Sequence, residues 1–192
     1  GPNEIGMKTF LKTYLDDYIN LVISCEEIFD DLLAVKDELV LASENGKKSI
    51  IVGNGGSAAI ASHVSVDLTK NAGIRSVNFN EADLITCFAN DYGFEQWVAK
   101  AVEFYGDEGD VFIAISSSGS SMNMLNGCEA AKRKKFASVI TLSGFEPDNP
   151  LRHLGDINLW VNSKAYNFVE TIHQLWLLIV VDLIIGKTEY PA

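Results

Sequence analysis

Two segments rich in glycine and serine are the part of this sequence best suited to bind a ligand. The first is GNGGS at residues 53–57, and the second is SSSGSS at residues 116–121. Each follows a short apolar run typical of a strand and precedes a segment with helical periodicity. Glycine lets a backbone approach a ligand closely, and the first N–H groups of a helix lack intrahelical partners and carry partial positive charge. Because serine hydroxyls add further donors, the two loops indicate a site for phosphate oxygens.

The same loops favour a phosphorylated metabolite over a nucleotide. A nucleotide-binding P-loop carries a lysine, whereas these two segments carry serines instead. One such loop would be weak evidence, since glycine and serine also make ordinary turns and helix caps. Two loops in one small domain point to a phosphorylated metabolite, and no nucleotide cofactor is expected. The amide of Asn54 is expected to point at whatever the first loop holds.

Several titratable side chains could carry chemistry beside that phosphate. His63 and Asp67 are four residues apart and share a helix face. Glu170 and His173 are three residues apart and also share a face. Such groups can move protons between carbon and oxygen, and they could also bind a divalent metal such as zinc. The plainer alternative is that both pairs are surface interactions of amphipathic helices. Asp91 is open to two interpretations, as a helix N-cap or as an acceptor for sugar hydroxyls.

The elements that would position these groups alternate between strand and helix. Residues 8–45 have helical periodicity, as a helix pair or one long kinked helix. The predicted strands then cover 49–53, 75–79, 110–116, 137–142 and 157–161, and the predicted helices cover 57–71, 81–90, 93–105, 120–134 and 165–186. This alternation predicts an α/β fold, a three-layer αβα sandwich around a five-stranded parallel sheet. Ligands of such folds bind beyond the carboxyl ends of the strands, where both loops lie.

Length and charge narrow the classes of protein and partner. The 192 residues fit one α/β domain spanning residues 1–192. A formal net charge of −11 repels nucleic acid, so direct DNA binding is disfavoured, and an anionic substrate must be attracted locally. The longest apolar stretch, residues 175–185, is interrupted by Asp182 and is expected to be too short to span a membrane.

Cysteine use and the N-terminal region favour a cytoplasmic, self-associating protein. Cys25, Cys87 and Cys128 lack metal-type spacing and are expected to be reduced core thiols. No signal peptide is expected, and residues 1–6 are expected to be an expression-tag remnant. Apolar residues of the N-terminal helices, Tyr14 and Phe29 among them, could pack on their own domain or on another subunit, and the second is preferred.

Four ordered motifs resemble the sugar isomerase (SIS) domain family and, more narrowly, the phosphoheptose isomerases. They are GNGGSAA at 53–59 followed by His63 and a carboxylate at 67, ANDYGF at 89–94, GDV at 109–111 leading into ISSSGSS at 115–121, and VITLSG at 139–144. The resemblance covers essentially the whole chain. It implies an aldose–ketose isomerase that interconverts sedoheptulose 7-phosphate and glycero-manno-heptose 7-phosphate through an enediolate. It also implies a homotetramer with sites shared between subunits.

The resemblance further implies roles for individual residues. Asp67 falls on the family's glutamate base, and Glu170 and His173 would be further proton-transfer candidates. His63 falls on a ligand of zinc-bound members, so the implied metal set is His63, Asp67 and Glu170. The remaining residues would bind the substrate: Asn54, Gly55, Gly56, Ser57, Asp91, Ser116, Ser117, Ser118, Ser121, Asn167 and Glu170.

The chain also departs from the family pattern in its last helix and at its base. Leu178 stands where the family has its catalytic histidine, and Glu170 stands where the family has glutamine. Asn167 and Phe168 replace the family's Asp and Arg. Asp67 is shorter than the glutamate it replaces by one methylene. Two alternatives to the isomerase therefore stay open: a non-catalytic phosphosugar-binding protein similar to the DnaA initiator-associating protein, and a relative with altered specificity.

Overall fold

Five short strands form one parallel sheet in the computed structural model, which describes residues 3–192, leaving out the side chains of residues 25 and 26. The strands are β1 (Ser49–Gly53), β2 (Ser76–Val77), β3 (Val111–Ile115), β4 (Ser138–Ser143) and β5 (Ile157–Trp160). Their spatial order is β2-β1-β3-β4-β5, and every neighbouring pair is parallel. The predicted αβα sandwich is confirmed, although β2 has two residues instead of the predicted five.

Seven α-helices connect or flank these strands among the described residues. They are α1 (Glu4–Ile23), α2 (Phe29–Glu44), α3 (Gly56–Lys70), α4 (Ala82–Tyr92), α5 (Trp97–Tyr105), α6 (Met122–Arg133) and α7 (Tyr166–Ile185). A 3₁₀ turn, Ser24–Ile28, separates α1 from α2, so the N-terminal region is a helix pair. Helix α4 continues through Asp91 and ends at Gly93, whose φ is +89°. The predicted helix end at residue 90 is therefore too early. Asp91 lies inside α4 and is not a helix N-cap.

The central strands of the sheet are buried on both faces and are largely apolar. Alternate residues of β3 point to opposite sides, with Ile113 in one core and Phe112 in the other. Helices α2, α3 and α7 cover the first face, and α5 and α6 cover the second. This double cover accounts for the near-continuous apolar runs in the sequence.

Helix α7 is the one described helix that is long and apolar enough to cross a membrane by those two criteria. The apolar stretch at residues 175–185 is the C-terminal part of this twenty-residue helix, and the two criteria are met by the helix as a whole. Packing explains its composition, because one side of the helix lies in the core. The buried side chains are Val169, Ile172, His173, Trp176, Leu177, Val180 and Val181. We interpret α7 as a core helix.

The cysteine predictions have mixed outcomes. Cys128 is a buried thiol, and burial raises its pKa to about 12. Cys87 is exposed on α4, so the expectation that it belongs to the core is wrong. Its side chain lies on the solvent-exposed face of α4. The prediction was wrong because it relied on the apolar residues next to Cys87 in the sequence. The side chain of Cys25 lies outside the described part of the chain.

A buried ion pair fixes the start of β3. The Asp110 side chain is fully buried and accepts hydrogen bonds from Lys48 Nζ at 2.7 Å and from the Asp107 backbone N–H at 2.8 Å. Its second oxygen accepts from the Lys48 backbone N–H at 3.1 Å. The aspartate therefore ties the segment before β1 to the segment before β3, and it helps to set the relative height of the two strands that carry the loops.

Candidate active site

The two glycine- and serine-rich loops meet at the carboxyl edge of the sheet. They follow β1 and β3, which are adjacent, and Gly53 is in register with Ile115. The chain leaves β1 towards one sheet edge and β3 towards the other, so the loops flank the switch point where such folds bind ligands. The predicted convergence of the loops is confirmed by this topology.

A reciprocal amide pair joins the two loops. Asn54 Nδ2 donates to Asn123 Oδ1 at 3.1 Å, and Asn123 Nδ2 donates to Asn54 Oδ1 at 2.8 Å. Asn123, in the first turn of α6, is buried. The amide of Asn54 is therefore engaged with the neighbouring loop, and its first role here is to hold that loop in place. Asn123 lies just after the second loop and belongs to no recognisable motif. Its contact with Asn54 could therefore not be predicted from the sequence.

The second loop buries hydroxyl groups that have few protein partners. Ser116 and Ser117 are both buried, and the Ser117 Oγ has no hydrogen-bond partner among the described residues. None of the described hydrogen bonds uses the backbone N–H of Ser117 or Ser118 as donor. Ser116 Oγ accepts from the Gly119 N–H at 3.2 Å and donates to Ser121 Oγ at 3.3 Å. Buried donors without partners are costly, so these groups suit an external acceptor.

Positive φ angles, and one close approach, explain why these loops need glycine. Gly119 has a φ of +65°, and a Cβ there would overlap the Asn149 side chain. Asn149 is buried in the loop after β4, where its Nδ2 donates to Ser143 Oγ at 3.1 Å and to the Gly144 carbonyl at 3.2 Å, while its side chain packs against Gly119 of the loop after β3. In the first loop, Gly55 has a φ of +53°. Asn149 is a second structural residue that the motif search did not single out.

A cavity of about 440 Å³ lies between α3 and α7. Its lining residues are Gly56, Ala59, Ile60, His63, Glu170, Thr171 and Gln174. At one end the Glu170 carboxylate packs against Gly56, the first residue of α3, where a Cβ would lie 2.8 Å from the Glu170 Cδ. Further along, Gln174 Nε2 lies 2.7 Å from His63 Nδ1. The structure thus brings His63 and Glu170 to one cavity beside the first loop.

Two predicted proton-transfer residues do not line this cavity. Asp67 is one helical turn beyond His63, and its Oδ1 accepts from Asn71 Nδ2 at 2.9 Å. His173 is fully buried, and its Nε2 donates to the Ser143 carbonyl at 2.8 Å. Burial lowers the pKa of His173 to about 4, against the opposing effect of that hydrogen bond. The geometry therefore does not favour His173 as a catalytic group, because its ring reaches neither solvent nor the cavity.

Two predicted sugar-binding residues outside the loops, Asp91 and Asn167, do not line the cavity within one chain. Asp91 is exposed on α4, where its carboxylate accepts from Asn90 Nδ2 at 3.1 Å and contacts the Cys87 thiol at 3.8 Å. Asn167 is exposed in the first turn of α7. Ser57, by contrast, is buried at the start of α3 inside the first loop. The roles of Asp91 and Asn167 stay predictions that need a second subunit or a ligand.

The residues predicted to hold zinc do not fit a metal ion as one set. Asp67 is held by Asn71 and does not line the cavity that His63 and Glu170 share. Across the described side chains, no three His, Cys, Asp or Glu residues stand close enough to hold a metal. Leu178, at the position of the family's catalytic histidine, packs against the apolar core. We derive no chemical step through zinc, which stays a prediction.

A second cavity of about 470 Å³ lies at the β5 edge of the sheet. Arg152 and Trp160 line it, with the guanidinium 4.3 Å from the indole ring centroid. None of its lining residues belongs to either loop. The smaller cavity between α3 and α7, by contrast, includes Gly56 of the first loop together with His63 and Glu170, which are groups able to transfer protons.

Comparison with known proteins agrees with this geometry. The family model described as the SIS domain matches residues 13–144. A phosphoheptose isomerase from Helicobacter hepaticus is 33% identical over 187 residues, which cover 93% of each chain. The chain belongs to the SIS domain family, in its phosphoheptose isomerase branch. A second member, from Fusobacterium nucleatum, is 35% identical over 153 residues, covering 77% of this chain and 78% of the relative.

Solved structures of the same branch share the whole fold. The phosphoheptose isomerase from Francisella tularensis superposes with a TM-score of 0.87 at 27% identity, covering 97% of this chain and all of the other. The one from Neisseria gonorrhoeae gives a TM-score of 0.86 at 25% identity, covering 94% and 99%. The non-catalytic binding protein is accordingly not favoured.

Proposed function

We propose that this protein is an aldose–ketose isomerase that converts sedoheptulose 7-phosphate to glycero-manno-heptose 7-phosphate. One observation carries the proposal: Asn54 and Asn123 hold the two loops together, and the first loop lines a cavity that also contains Glu170 and His63. The loops suit the phosphate, and the cavity has the carboxylate and imidazole that an enediolate mechanism requires. The phosphoheptose isomerase relatives supply the substrate class.

The phosphate is proposed to bind to hydroxyls and free amides of both loops. The buried Ser117 hydroxyl and the backbone N–H groups at positions 117 and 118 lack described acceptors, so phosphate oxygens would satisfy them. Helix α3 begins at Gly56 and α6 begins at Met122, and both N-termini add positive potential at this edge. This local field would offset the repulsion between a dianionic sugar and a protein of net charge −11.

Isomerase activity is tested directly by incubation with sedoheptulose 7-phosphate in deuterated water. NMR is expected to show the aldose product and deuterium entering the substrate at C1. A protein that is stabilised against thermal unfolding by the sugar phosphate but gives neither product nor exchange would refute the isomerase and leave only a binding function.

The phosphate loop is tested with the double variant Ser118→Ala and Ser121→Ala. We expect the thermal shift caused by sugar phosphate to disappear, because two hydroxyl donors leave the loop. Ser120→Ala is the matched control, since Ser120 lies in the same loop but is exposed and is not assigned to the phosphate. An unchanged shift in the double variant would show that the phosphate binds elsewhere.

We further propose that the protein acts in the cytoplasm as a homotetramer. Helix α1 supports assembly, because none of its residues is buried, while Phe10 is 65% exposed and Leu11 is 59% exposed. An apolar helix face of this size favours burial against another subunit. Light scattering is expected to show a tetramer in the wild type and smaller species in Leu11→Glu. Thr13→Glu, on the same exposed helix, is the control, and a monomeric wild type would contradict the assembly.

A further inference from the structure

We propose that Glu170 is the base of the isomerase, and that His63, oriented by Gln174, is the neutral donor that polarises the sugar carbonyl. The inference rests on the proposed function and assigns its proton-transfer groups. It differs from the expectation of an Asp67 base with a metal held by His63. The following contacts carry it.

Within the described part of the chain, Glu170 is the one carboxylate that lines the cavity beside the first loop. It is partly buried, and among the described residues no hydrogen bond or ion pair occupies its oxygens. The carboxylate lies against Gly56, at the N-terminus of α3, where the partial positive charge of the helix stabilises an anion. A carboxylate with free oxygens, next to the first loop, is suitably placed to remove a proton from a bound sugar.

Gln174 sets the proton arrangement of His63. The Gln174 side-chain N–H donates to His63 Nδ1 at 2.7 Å, so Nδ1 is the acceptor and carries no proton. The neutral ring then carries its proton on Nε2. An Nε2–H group can donate to an oxygen on which negative charge develops during enolisation, and a neutral imidazole can serve this purpose as an electrophile.

Glu170, Gln174 and His63 form one unit across two helices. Glu170 and Gln174 are four residues apart on α7 and therefore lie on one face of that helix, with His63 opposite them on α3. Asp67 is on the same face of α3 but outside the cavity, with its carboxylate engaged by Asn71. The cavity thus supplies a base and a donor without Asp67.

The proposed reaction balances without any oxidant or reductant. Glu170 takes a proton from C1 of the ketose, the C–H electron pair forms the C1=C2 bond, and the carbonyl pair moves to the oxygen on C2. The His63 Nε2–H donates a hydrogen bond to that oxygen. Glu170 then returns its proton to C2, and the hydroxyl proton of the C1 oxygen moves to the C2 oxygen, which leaves an aldehyde at C1.

Glu170→Gln is the decisive variant for the base, because it keeps the shape of the side chain and removes its charge. We expect kcat to fall about 10²- to 10⁴-fold, the usual contribution of a positioned acid–base group. Sugar phosphate should still stabilise this variant against thermal unfolding, because the phosphate loops are intact. Retained turnover in Glu170→Gln, together with lost turnover in Asp67→Asn, would overturn the assignment.

Gln174→Glu is the decisive variant for the positioning residue. A carboxylate can still bond His63, but only as acceptor, so at pH ~9, where the ring is neutral, its proton would move to Nδ1 and Nε2 would no longer donate. A purely structural role would tolerate this change, whereas our assignment predicts about a tenfold or greater loss of kcat with little change in KM. Gln96→Glu, at an exposed position outside the cavity, is the matched control.

Histidine ¹⁵N NMR reports the tautomer independently of turnover. The wild type is expected to show His63 protonated at Nε2, and Gln174→Glu is expected to show protonation at Nδ1. A wild-type ring protonated at Nδ1 would overturn the role of Gln174. Failure of the two proposals can be distinguished, because a wild type with no turnover refutes the isomerase as well, whereas turnover that survives Glu170→Gln refutes only this assignment.

Discussion

The buried ring of His173 makes the stability of the protein sensitive to mild acid. Burial lowers its pKa from 6.5 to about 4, so the native ring stays neutral at pH values where the unfolded chain binds a proton. As the pH falls below about 6.5, the unfolded state is favoured by this extra proton, and stability is lost. The contribution of the neutral ring to stability is therefore complete above pH 6.5, the pKa of the ring in the unfolded chain. It declines as the pH falls towards about 4, the pKa of the ring in the native protein.

The size of this effect follows from the two pKa values. One pKa unit corresponds to about 1.4 kcal/mol, so the complete shift would cost about 3 kcal/mol, of which about 2 kcal/mol is lost by pH ~5. For a domain of this length that corresponds to a fall of about 4–8 °C in Tm. The pH ~5 condition separates the histidine from most carboxylates, which titrate lower.

His173→Gln tests this reasoning, because glutamine does not titrate and can still donate to the Ser143 carbonyl. Urea unfolding at pH ~7.5 and pH ~5 is expected to show a loss about 2 kcal/mol smaller in His173→Gln than in the wild type. His153→Gln, at an exposed histidine, should behave as the wild type does. An equal loss in His173→Gln and the wild type would show that the native ring accepts a proton normally, and the argument from burial would fail.

Three further substitutions probe the framework of the site. Gly119→Ala should lower the unfolding free energy by about 1–3 kcal/mol more than Gly73→Ala in urea titrations, because both have positive φ but only the first Cβ meets another side chain. Asn123→Ala should cost about 1–3 kcal/mol and weaken sugar-phosphate protection in thermal melts, whereas Asn126→Ala should not weaken that protection. Lys48→Met should cost about 2–4 kcal/mol in urea unfolding, against little for Lys47→Met, because it leaves the buried Asp110 unpaired. If the variant and its control gave equal results in any of these three comparisons, the contact on which that prediction rests would be contradicted.

The sequence predicted the fold and the loops well because both depend on local patterns. Apolar runs of strand length, separated by helical periodicity, define the sheet, and glycine and serine mark its carboxyl edge. The β2 prediction was too long because Asn78 and Phe79 continue an extended-looking segment whose backbone leaves the sheet after Val77.

The cavity was predicted less completely because its contacts are long-range. The pairing of Gln174 with His63 spans 111 residues, and that of Asn54 with Asn123 spans 69. No spacing rule links residues so far apart. Helical spacing correctly placed His63 and Asp67 on one face, but it could not show that Asn71 holds the Asp67 carboxylate. It also could not show that His173 faces the core.

The amide pair between Asn54 and Asn123 has a consequence for how the protein would respond to its surroundings. Both side chains are uncharged at every physiological pH. The strength of the two hydrogen bonds between them should therefore depend little on salt concentration or pH. The uncharged amide pair holds the two loops together before the ligand binds. Little conformational entropy is therefore lost on binding.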